Sequence, residues 1–289
     1  MICLLGLLIV AAAVLVGYRL EHGNIQLLFQ LPEIVVIFGA TLGGFLASAP
    51  RRVIKLVAAG LKDILAGKSY RKTDYMDCLF MLGEMFTIMK KSGQLAVEQH
   101  LMAPEESIIF TKYPGIVKNR YVMSFITDTF KILLTANISP FDLEQLLDSE
   151  LEMRHECRIV PSKSVGSVAD SLPGLGIVAA VLGVIITMGK MNETPDVIGR
   201  SISVALIGTL LGVLLSYGFV APLSRHLEHI ADAEREFLNM VKITLTAFAC
   251  GMLPGVALEF GRRVVPEDMR PTYEELEDTF AAIKKSAAH

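Results

Sequence analysis

The chain has 289 residues, of which 52% are hydrophobic and 20% are charged, and its formal net charge is −3 at pH 7. The mean hydropathy of +0.50 is higher than a soluble globular domain normally has, so apolar residues must be concentrated in particular segments. The net charge itself says little, because the charges are unevenly placed along the chain, and we predict no nucleic-acid partner. The four cysteines show no CxxC or paired spacing, and we interpret them as reduced thiols rather than a disulfide framework.

The first 50 residues contain two apolar segments. Residues 1–18 carry no charge and lack the basic start of a secretory signal, so we predict a retained transmembrane helix rather than a cleaved signal peptide. After a loop over residues 19–33, the uncharged run 34–50 contains seventeen residues. At about 1.5 Å per residue, this run is near the lower limit for crossing a bilayer core of about 30 Å. We therefore assign two transmembrane helices to residues 1–50.

Basic residues set the expected orientation of the chain. Sixteen Lys or Arg residues lie between positions 51 and 163, beginning directly after the second span. The loops on the other side of the spans hold only Arg19, Lys190 and Arg200. Because cytoplasmic loops carry an excess of Lys and Arg, we expect residues 51–168 to be cytoplasmic and the N-terminus to lie outside.

The segment 51–168 has the periodicity of amphipathic helices rather than of strands. Helices are predicted over 73–92, where a Thr-Asp pair can cap the first turn, and over 120–134. A third is expected over 140–158, because proline suits the first turn of a helix. These helices predict a soluble cytoplasmic bundle.

Two long apolar runs, 171–189 and 201–224, follow with a short polar link between them. Each run contains one proline, and neither has an ionisable side chain other than the phenol of Tyr217. The sequence GLGIVAAVLG in the first run contains glycines that could suggest a phosphate-binding loop. Inside an apolar span such glycines more often allow two helices to approach closely. We predict the third and fourth spans here, within residues 169–224.

The remaining residues, 225–289, are expected to form a cytoplasmic tail of helices. A rival fifth span over 243–258 has sixteen uncharged residues, which is short for a bilayer. It is also flanked by Lys242 on one side and by two arginines, Arg262 and Arg263, on the other. We predict an amphipathic helix that packs on the cytoplasmic insertion, and hence an all-α membrane protein with four spans.

No known catalytic or metal-binding pattern is present. The chain has no Walker A, GxGxxG, HExxH or GxSxG sequence, and its histidines do not cluster with cysteines at metal-ligand spacing. We therefore predict that the chain is not an enzyme and holds neither a metal nor a cofactor.

The four predicted spans also lack a carboxylate away from their ends. Because ionisable residues inside spans mark ion pathways, an ion-conducting complex would need that carboxylate from another chain. Thr209 is the best hydroxyl to lie beside it. The alternative for Thr209 is a hydroxyl bonded back to its own helix.

Several stretches in fixed order resemble the MotA family of flagellar stator proteins over nearly the whole chain. The third and fourth spans carry the most specific of them. The matching stretches are PEIVVIFGATLGGFL, KKSGQLAVE, DSLPGLGIVAAVLGVI, GTLLGVLLSYGFVAPLS, VALEFGRR and RPTYEELE.

The resemblance implies a pentamer in the bacterial inner membrane, arranged around a dimer of a single-span MotB-like protein whose aspartate carries the ion. Ion flow would turn the ring against the rotor protein FliG. Lys90 and Glu98 stand at the positions of the charged rotor contact, with Glu150 as a weaker third candidate. Lys90 replaces the arginine that is usual there, so a bidentate contact is lost.

The resemblance also implies roles in the membrane. Its two prolines correspond to Pro173 and Pro222, which could bend their helices near the cytoplasmic side or form static kinks. Sodium-type relatives carry extra threonines where this chain has Ala180 and Gly208, so the transported ion is expected to be a proton. Six residues are thus predicted for the ion pathway or its coupling: Asp170, Pro173, Ala180, Thr209, Tyr217 and Pro222.

Two other functions stay open at this point. The first is an energiser of the ExbB/TolQ type, which powers periplasmic proteins through proton-motive force; those relatives usually have three spans. The second is a purely structural membrane scaffold. The additional N-terminal span and the motif KKSGQLAVE weigh against the energiser.

Overall fold

The computed structural model describes residues 2–67, 69–136 and 138–286. Every regular element in these ranges is helical, which confirms the all-α prediction. The chain divides into two compact units. Unit 1 consists of Met1–Lys68 and Cys157–Ala231, and unit 2 consists of Ser69–Glu156 and Asp232–His289.

Unit 1 contains the apolar helices. Four helices are long and apolar enough to cross a membrane, as predicted: Ile2–Leu20, Leu31–Ser48, Pro140–Met188 and the continuous stretch Pro195–Ala249. Its elements in chain order are α1 (Ile2–Leu20), α2 (Ile25–Leu28), α3 (Leu31–Ser48), α4 (Arg51–Leu65), the later part of α9 (Pro140–Met188), α10 (Pro195–Leu214), a π-helical segment (Leu215–Val220) and the start of α11 (Ala221–Ala249).

Several predicted helix boundaries were wrong. The helix expected to end near Arg158 continues without a break into the third span, as the single helix α9 with Pro161 and Pro173 inside it. A proline removes one backbone donor, and contacts in the folded chain can compensate for that loss. The predicted loop over 19–33 is also partly helical, because α3 begins at Leu31 and has proline in its first turn.

The third and fourth spans pack closely through glycines, as predicted. A methyl group on Gly212 would lie 2.6 Å from the Leu172 carbonyl oxygen and 2.7 Å from the Cα atom of Gly176. A methyl group on Gly208 would lie 3.0 Å from the Cβ atom of Ala179. Because these distances leave no room for a side chain, the backbones of α9 and α10 are in direct contact.

Unit 2 is built around a core of large apolar side chains. Phe86, Phe130 and Phe237 are fully buried, and the Phe86 ring stacks on Phe248 with centroids 4.0 Å apart. The predicted helices over 73–92 and 120–134 are confirmed. The helices that lie wholly in this unit are α5 (Lys72–Ser92), α6 (Gln94–Met102), α7 (Pro114–Lys118), α8 (Arg120–Thr135), α12 (Pro254–Arg263) and α13 (Tyr273–Ser286).

The segment 243–258 packs on the insertion, as predicted, but it is not one helix. Helix α11 ends at Ala249, a turn follows in which Gly251 has φ 83°, and α12 begins at Pro254. Glycine favours this left-handed conformation because it has no Cβ. Leu245 and Leu258 on either side of the turn are fully buried in the same core as Leu79 of α5. The last three residues of the predicted tail, 287–289, lie outside the described ranges.

An ion cluster holds the C-terminal part of unit 2 together. Glu259 accepts hydrogen bonds from the side chains of Arg262 at 2.7 Å and of Arg263 at 2.8 Å. Arg262 also donates to the Pro271 carbonyl at 3.0 Å. These hydrogen bonds, those from Arg262 first, lower the pKa of the Glu259 carboxyl to about 2. The stretches VALEFGRR and RPTYEELE therefore stabilise one local structure.

Candidate functional site

Pro173 leaves a backbone acceptor free inside α9, and a residue of the π-helical segment occupies it. A proline has no N–H, so Pro173 cannot donate to the carbonyl of Ala169 four residues earlier. The Ser216 hydroxyl donates to that carbonyl oxygen at 2.7 Å. Ser216 is only 1% exposed, so this bond is shielded from solvent.

The second proline follows directly on the π-helical segment. The N–H of Ala221 donates to the carbonyl of Ser216, five residues back, as in a π-helix. Pro222 comes next and donates no backbone bond. Ser216 thus contacts the helix backbone that Pro173 interrupts and lies in the turn that precedes Pro222. The structure therefore links the two predicted prolines through a serine that sequence reasoning missed.

No sequence pattern pointed to Ser216, since it is one of several small residues in an apolar run. Its importance depends on which carbonyl lies opposite it on another helix. A second hydrogen bond from a serine supports the same contact with α9: the Ser224 hydroxyl of α11 donates to the Ser162 carbonyl of α9 at 2.8 Å.

The predicted ion-pathway residues lie in two different environments. Ala180 and Thr209 are half-buried at the contact between α9 and α10, where a methyl group on the neighbouring Gly208 would lie 3.1 Å from the Ala180 nitrogen. Asp170 is exposed, and Tyr217 is 70% exposed. Pro173 is half-buried and Pro222 is exposed.

The Thr209 hydroxyl has no hydrogen-bond partner among the residues that the structure describes. Thr187 and Ser203 in the same unit bond back to carbonyls four residues earlier, Gly183 and Gly199, at 2.8 and 2.9 Å. Thr209 does not form such a bond, so the alternative considered for it is absent. Its hydroxyl is free to contact another group.

One exposed stripe of α10 and the π-helical segment is apolar. The side chains are spaced by three or four residues, as on one helix face. The exposed fractions are 64%, 43%, 40% and 70% for Leu206, Leu210, Val213 and Tyr217, respectively. Thr209 lies beside this stripe, which suits contact with lipid or with the span of another protein.

Glu33 is a further acidic residue that sequence reasoning placed in a loop. It lies in the first turn of α3, is only 7% exposed, and its Oε2 atom has no hydrogen-bond partner. Glu33 is therefore a buried carboxyl at the end of the second span, where the prediction excluded carboxylates only away from the ends of the spans. The Pro-Glu pair at positions 32 and 33 is typical of a helix start and could have indicated the earlier boundary.

The two main candidates for a rotor contact lie close together in sequence in unit 2 and are both exposed. Lys90 is in the last turn of α5, and Glu98 is in α6, with Gly93 in a left-handed turn between them. Neither forms an ion pair within the described part of the chain. Glu98 shares its helix face with Leu95 and Met102, which are 77% and 76% exposed.

Glu150 differs from these two because it has an internal partner. The hydroxyl of Tyr121 donates to Glu150 at 3.3 Å. The guanidinium of Arg154 lies 3.8 Å above the Tyr121 ring and forms an ion pair with Glu234 at 2.7 Å. Burial, with the nearby carboxylate of Glu150, raises the pKa of the Tyr121 hydroxyl to about 12.

Metal binding has no support in the described residues. No group of three or more His, Cys, Asp or Glu side chains that could hold a metal ion occurs among them.

Comparisons with known proteins agree over nearly the whole chain. The family model for the Motility protein A N-terminal region matches residues 4–93, and the model for the MotA/TolQ/ExbB proton channel family matches residues 118–240. Motility protein A of Escherichia coli (strain K12) is 34% identical over 284 residues, which cover 98% of this chain and 96% of that protein. Chemotaxis protein LafT of Vibrio parahaemolyticus is 30% identical over 277 residues, covering 96% of this chain and 97% of LafT.

Solved structures show the same fold. The C. jejuni MotAB structure has a TM-score of 0.77 at 18% sequence identity, covering 94% of this chain and 98% of that chain. The flagellar MotAB stator complex from Bacillus subtilis has a TM-score of 0.73 at 20% identity, covering 89% of this chain and 92% of that chain. The identity and coverage together establish that this chain belongs to the Motility protein A family, within the MotA/TolQ/ExbB proton channel family.

Proposed function

We propose that this chain is the channel-forming subunit of a flagellar stator, which works with a MotB-like partner as a proton channel and drives the rotor. The observation that carries the proposal is the match to motility proteins across 98% of the chain. An energiser of the ExbB/TolQ type is less well supported, because the motility-specific N-terminal model also matches. A purely structural scaffold would not need the free hydroxyl of Thr209 in unit 1.

The ion pathway requires a carboxylate from the partner beside Thr209. Thr209 is half-buried with a free hydroxyl, and it borders the exposed apolar stripe that could receive the partner's span. Ala180 and Gly208 next to it offer no side-chain oxygen. Because Na⁺ needs several oxygen ligands to replace its water, this environment suits a proton better. No cofactor and no enzymatic step are required.

The coupling step would use the two prolines. When the partner's carboxylate gains a proton, its charge disappears and its contact with Thr209 weakens. Pro173 and Pro222 provide points at which α9 and the fourth span can bend, because each lacks a backbone hydrogen bond. The hydrogen bond from Ser216 to the Ala169 carbonyl would couple the two sites, so that both helices bend together.

The rotor contact would lie on unit 2. Lys90 and Glu98 are exposed and unpaired in the described structure, so their charges are free to meet complementary charges on a FliG-like rotor protein. Glu150 would contribute less to the rotor contact, because its carboxylate already accepts a hydrogen bond from Tyr121. We place the chain in the bacterial inner membrane as a homo-oligomer, a pentamer by resemblance, with residues 51–168 and 225–289 in the cytoplasm.

The proposal is tested by swimming of a stator-deletion strain that carries this chain with its MotB-like partner. We expect the wild-type chain to restore swimming and to co-purify with the partner. Lys90→Glu and Glu98→Lys should each impair swimming, with partial recovery when the rotor charges are reversed. Glu144→Lys, a charge reversal at an exposed site of α9, is the control. Normal swimming of both variants would contradict the rotor contact.

The ion is tested separately. At fixed proton-motive force, swimming speed should not depend on external sodium. A steep sodium dependence would overturn the assignment of a proton.

A further inference from the structure

We propose that Glu33 is a proton-binding carboxyl of unit 1, separate from the carboxylate that the partner supplies. We propose further that the Thr41 hydroxyl lies on the route by which protons reach or leave Glu33. The inference rests on the proposed function as a proton channel. It starts from two buried polar atoms that have no partner, Oε2 of Glu33 and Oγ1 of Thr41.

The carboxyl of Glu33 is not used to cap its helix. Glu33 is the third residue of α3, a position from which glutamate often accepts a bond from the backbone N–H before the helix. No hydrogen bond between the Gln30 N–H and Glu33 is found in the described structure. The side chain is turned inward instead and is 7% exposed.

Glu33, Ile37 and Thr41 form one face of α3, since they are spaced by four residues. Ile37 is fully buried in a cluster with Leu172 and Ala179 of α9. The face therefore points toward the third span, against which the fourth span packs. At about 1.5 Å per residue, Glu33 and Thr41 are roughly 12 Å apart along the helix.

The hydroxyl of Thr41 does not bond back to its own helix. Thr187 in the same unit donates to the carbonyl of Gly183 at 2.8 Å. Thr41 has no such partner, although the carbonyl of Ile37 lies one turn away. A hydroxyl that can both donate and accept is suited to pass a proton or to hold a water molecule.

Among the described residues of α9 and α10, no counter-ion for Glu33 is found. α3 packs against α10, whose charged residues Asp196 and Arg200 are both exposed. The membrane part of α9 after Asp170 has no ionisable residue, and Asp170 itself is exposed. An ionised carboxyl without a partner is costly to bury in a membrane protein. A proton or a hydrated proton is the species that compensates this charge.

The test uses Glu33→Gln, which keeps the size and polarity of the side chain but cannot carry a proton. In cells that hold the chain with its MotB-like partner, we expect at least a tenfold loss of swimming speed with unchanged recruitment of the complex to the motor. Glu33→Asp should retain part of the speed. Glu21→Gln, at an exposed acidic residue of the neighbouring turn, is the matched control and should swim normally.

A second readout separates proton binding from a structural role. Infrared spectra of the purified wild-type complex should show a protonated-carboxyl band that responds to pH and is absent from Glu33→Gln. If Glu33→Gln fails to assemble, the band in wild type and its shift in Glu33→Asp decide the question. Normal swimming of Glu33→Gln, or no such band, would overturn the inference. Failure of the wild-type chain to restore swimming would instead overturn the proposed function.

Discussion

The helices of the two units are held together in different ways. In unit 2, large aromatic rings fill the core, and the buried Lys242 is paired with Asp148 at 2.7 Å. In unit 1, small residues bring helices together, and the buried atoms Oε2 of Glu33 and Oγ1 of Thr41 have no partner. A close-packed aromatic core resists deformation, whereas helices with missing backbone bonds bend readily. The comparison assigns rigidity to unit 2 and adjustable packing to unit 1.

The largest expected effect is at the glycine contact of unit 1. Gly212→Val should abolish swimming and reduce the amount of protein in the membrane at least tenfold, because its side chain would overlap the Leu172 carbonyl. The control is Gly174→Ala, since a methyl group there meets nothing within 4 Å. Immunoblots of membrane fractions measure both. Normal levels of Gly212→Val would show that the two spans can separate without cost.

The next effect is in the core of unit 2. Phe86→Ala removes a fully buried ring that stacks on Phe248 and leaves a cavity. We expect a loss of about 3–5 kcal/mol in the free energy of unfolding. Thermal unfolding of the purified complex measures it, with exposed Phe141→Ala as the control. A loss below about 1 kcal/mol would contradict a rigid, close-packed unit 2.

A smaller, pH-dependent effect is expected at Glu259. Its folded pKa of about 2 lies below the unfolded value near 4.5. The ion cluster therefore contributes stability above about pH 4.5, and this contribution is lost as pH falls toward 2. Allowing for solvent screening, Glu259→Gln should cost about 1–2 kcal/mol at pH 7.

Melting curves of wild type and Glu259→Gln at pH 7 and pH 3 check this. The difference between them should shrink at pH 3, and Glu274→Gln, at an exposed residue of α13, should show no comparable effect. An equal difference at both pH values would mean that the charge of Glu259 does not stabilise unit 2.

The smallest effect on stability, but a clear one on function, is expected for Ser216→Ala. Loss of the bond to the Ala169 carbonyl should cost about 1 kcal/mol, a typical value for one hydrogen bond. We expect slower swimming at high viscous load with normal protein levels, because the two proline sites would bend independently. Ser203→Ala, which removes only a bond within one helix turn, is the control. Equal swimming of the two variants would contradict the link between the prolines.

Sequence reasoning recovered the features that depend on local composition. Four apolar runs predicted the spans, the spacing of apolar residues predicted the helix over 120–134, and glycines in GLGIVAAVLG predicted close helix packing. These features could be predicted because the length of an apolar run and the spacing of its apolar residues can be counted along the sequence.

The features that depend on distant partners could not be predicted. The bond of Ser216 to Ala169 joins residues 47 positions apart. α9 continues through Pro161 and Pro173, although proline normally ends a helix. The burial of Glu33 depends on which face of α3 meets the other spans. In each case, contacts in the folded chain override a local preference.

The central claim is that the partner's carboxylate lies beside Thr209 in the membrane. Cysteine cross-linking tests it most directly, with Thr209→Cys in this chain and a cysteine next to the membrane aspartate of the MotB-like partner. The account predicts a cross-linked product from Thr209→Cys and none from Leu46→Cys, an exposed apolar position of α3. A product from Leu46→Cys alone would contradict it.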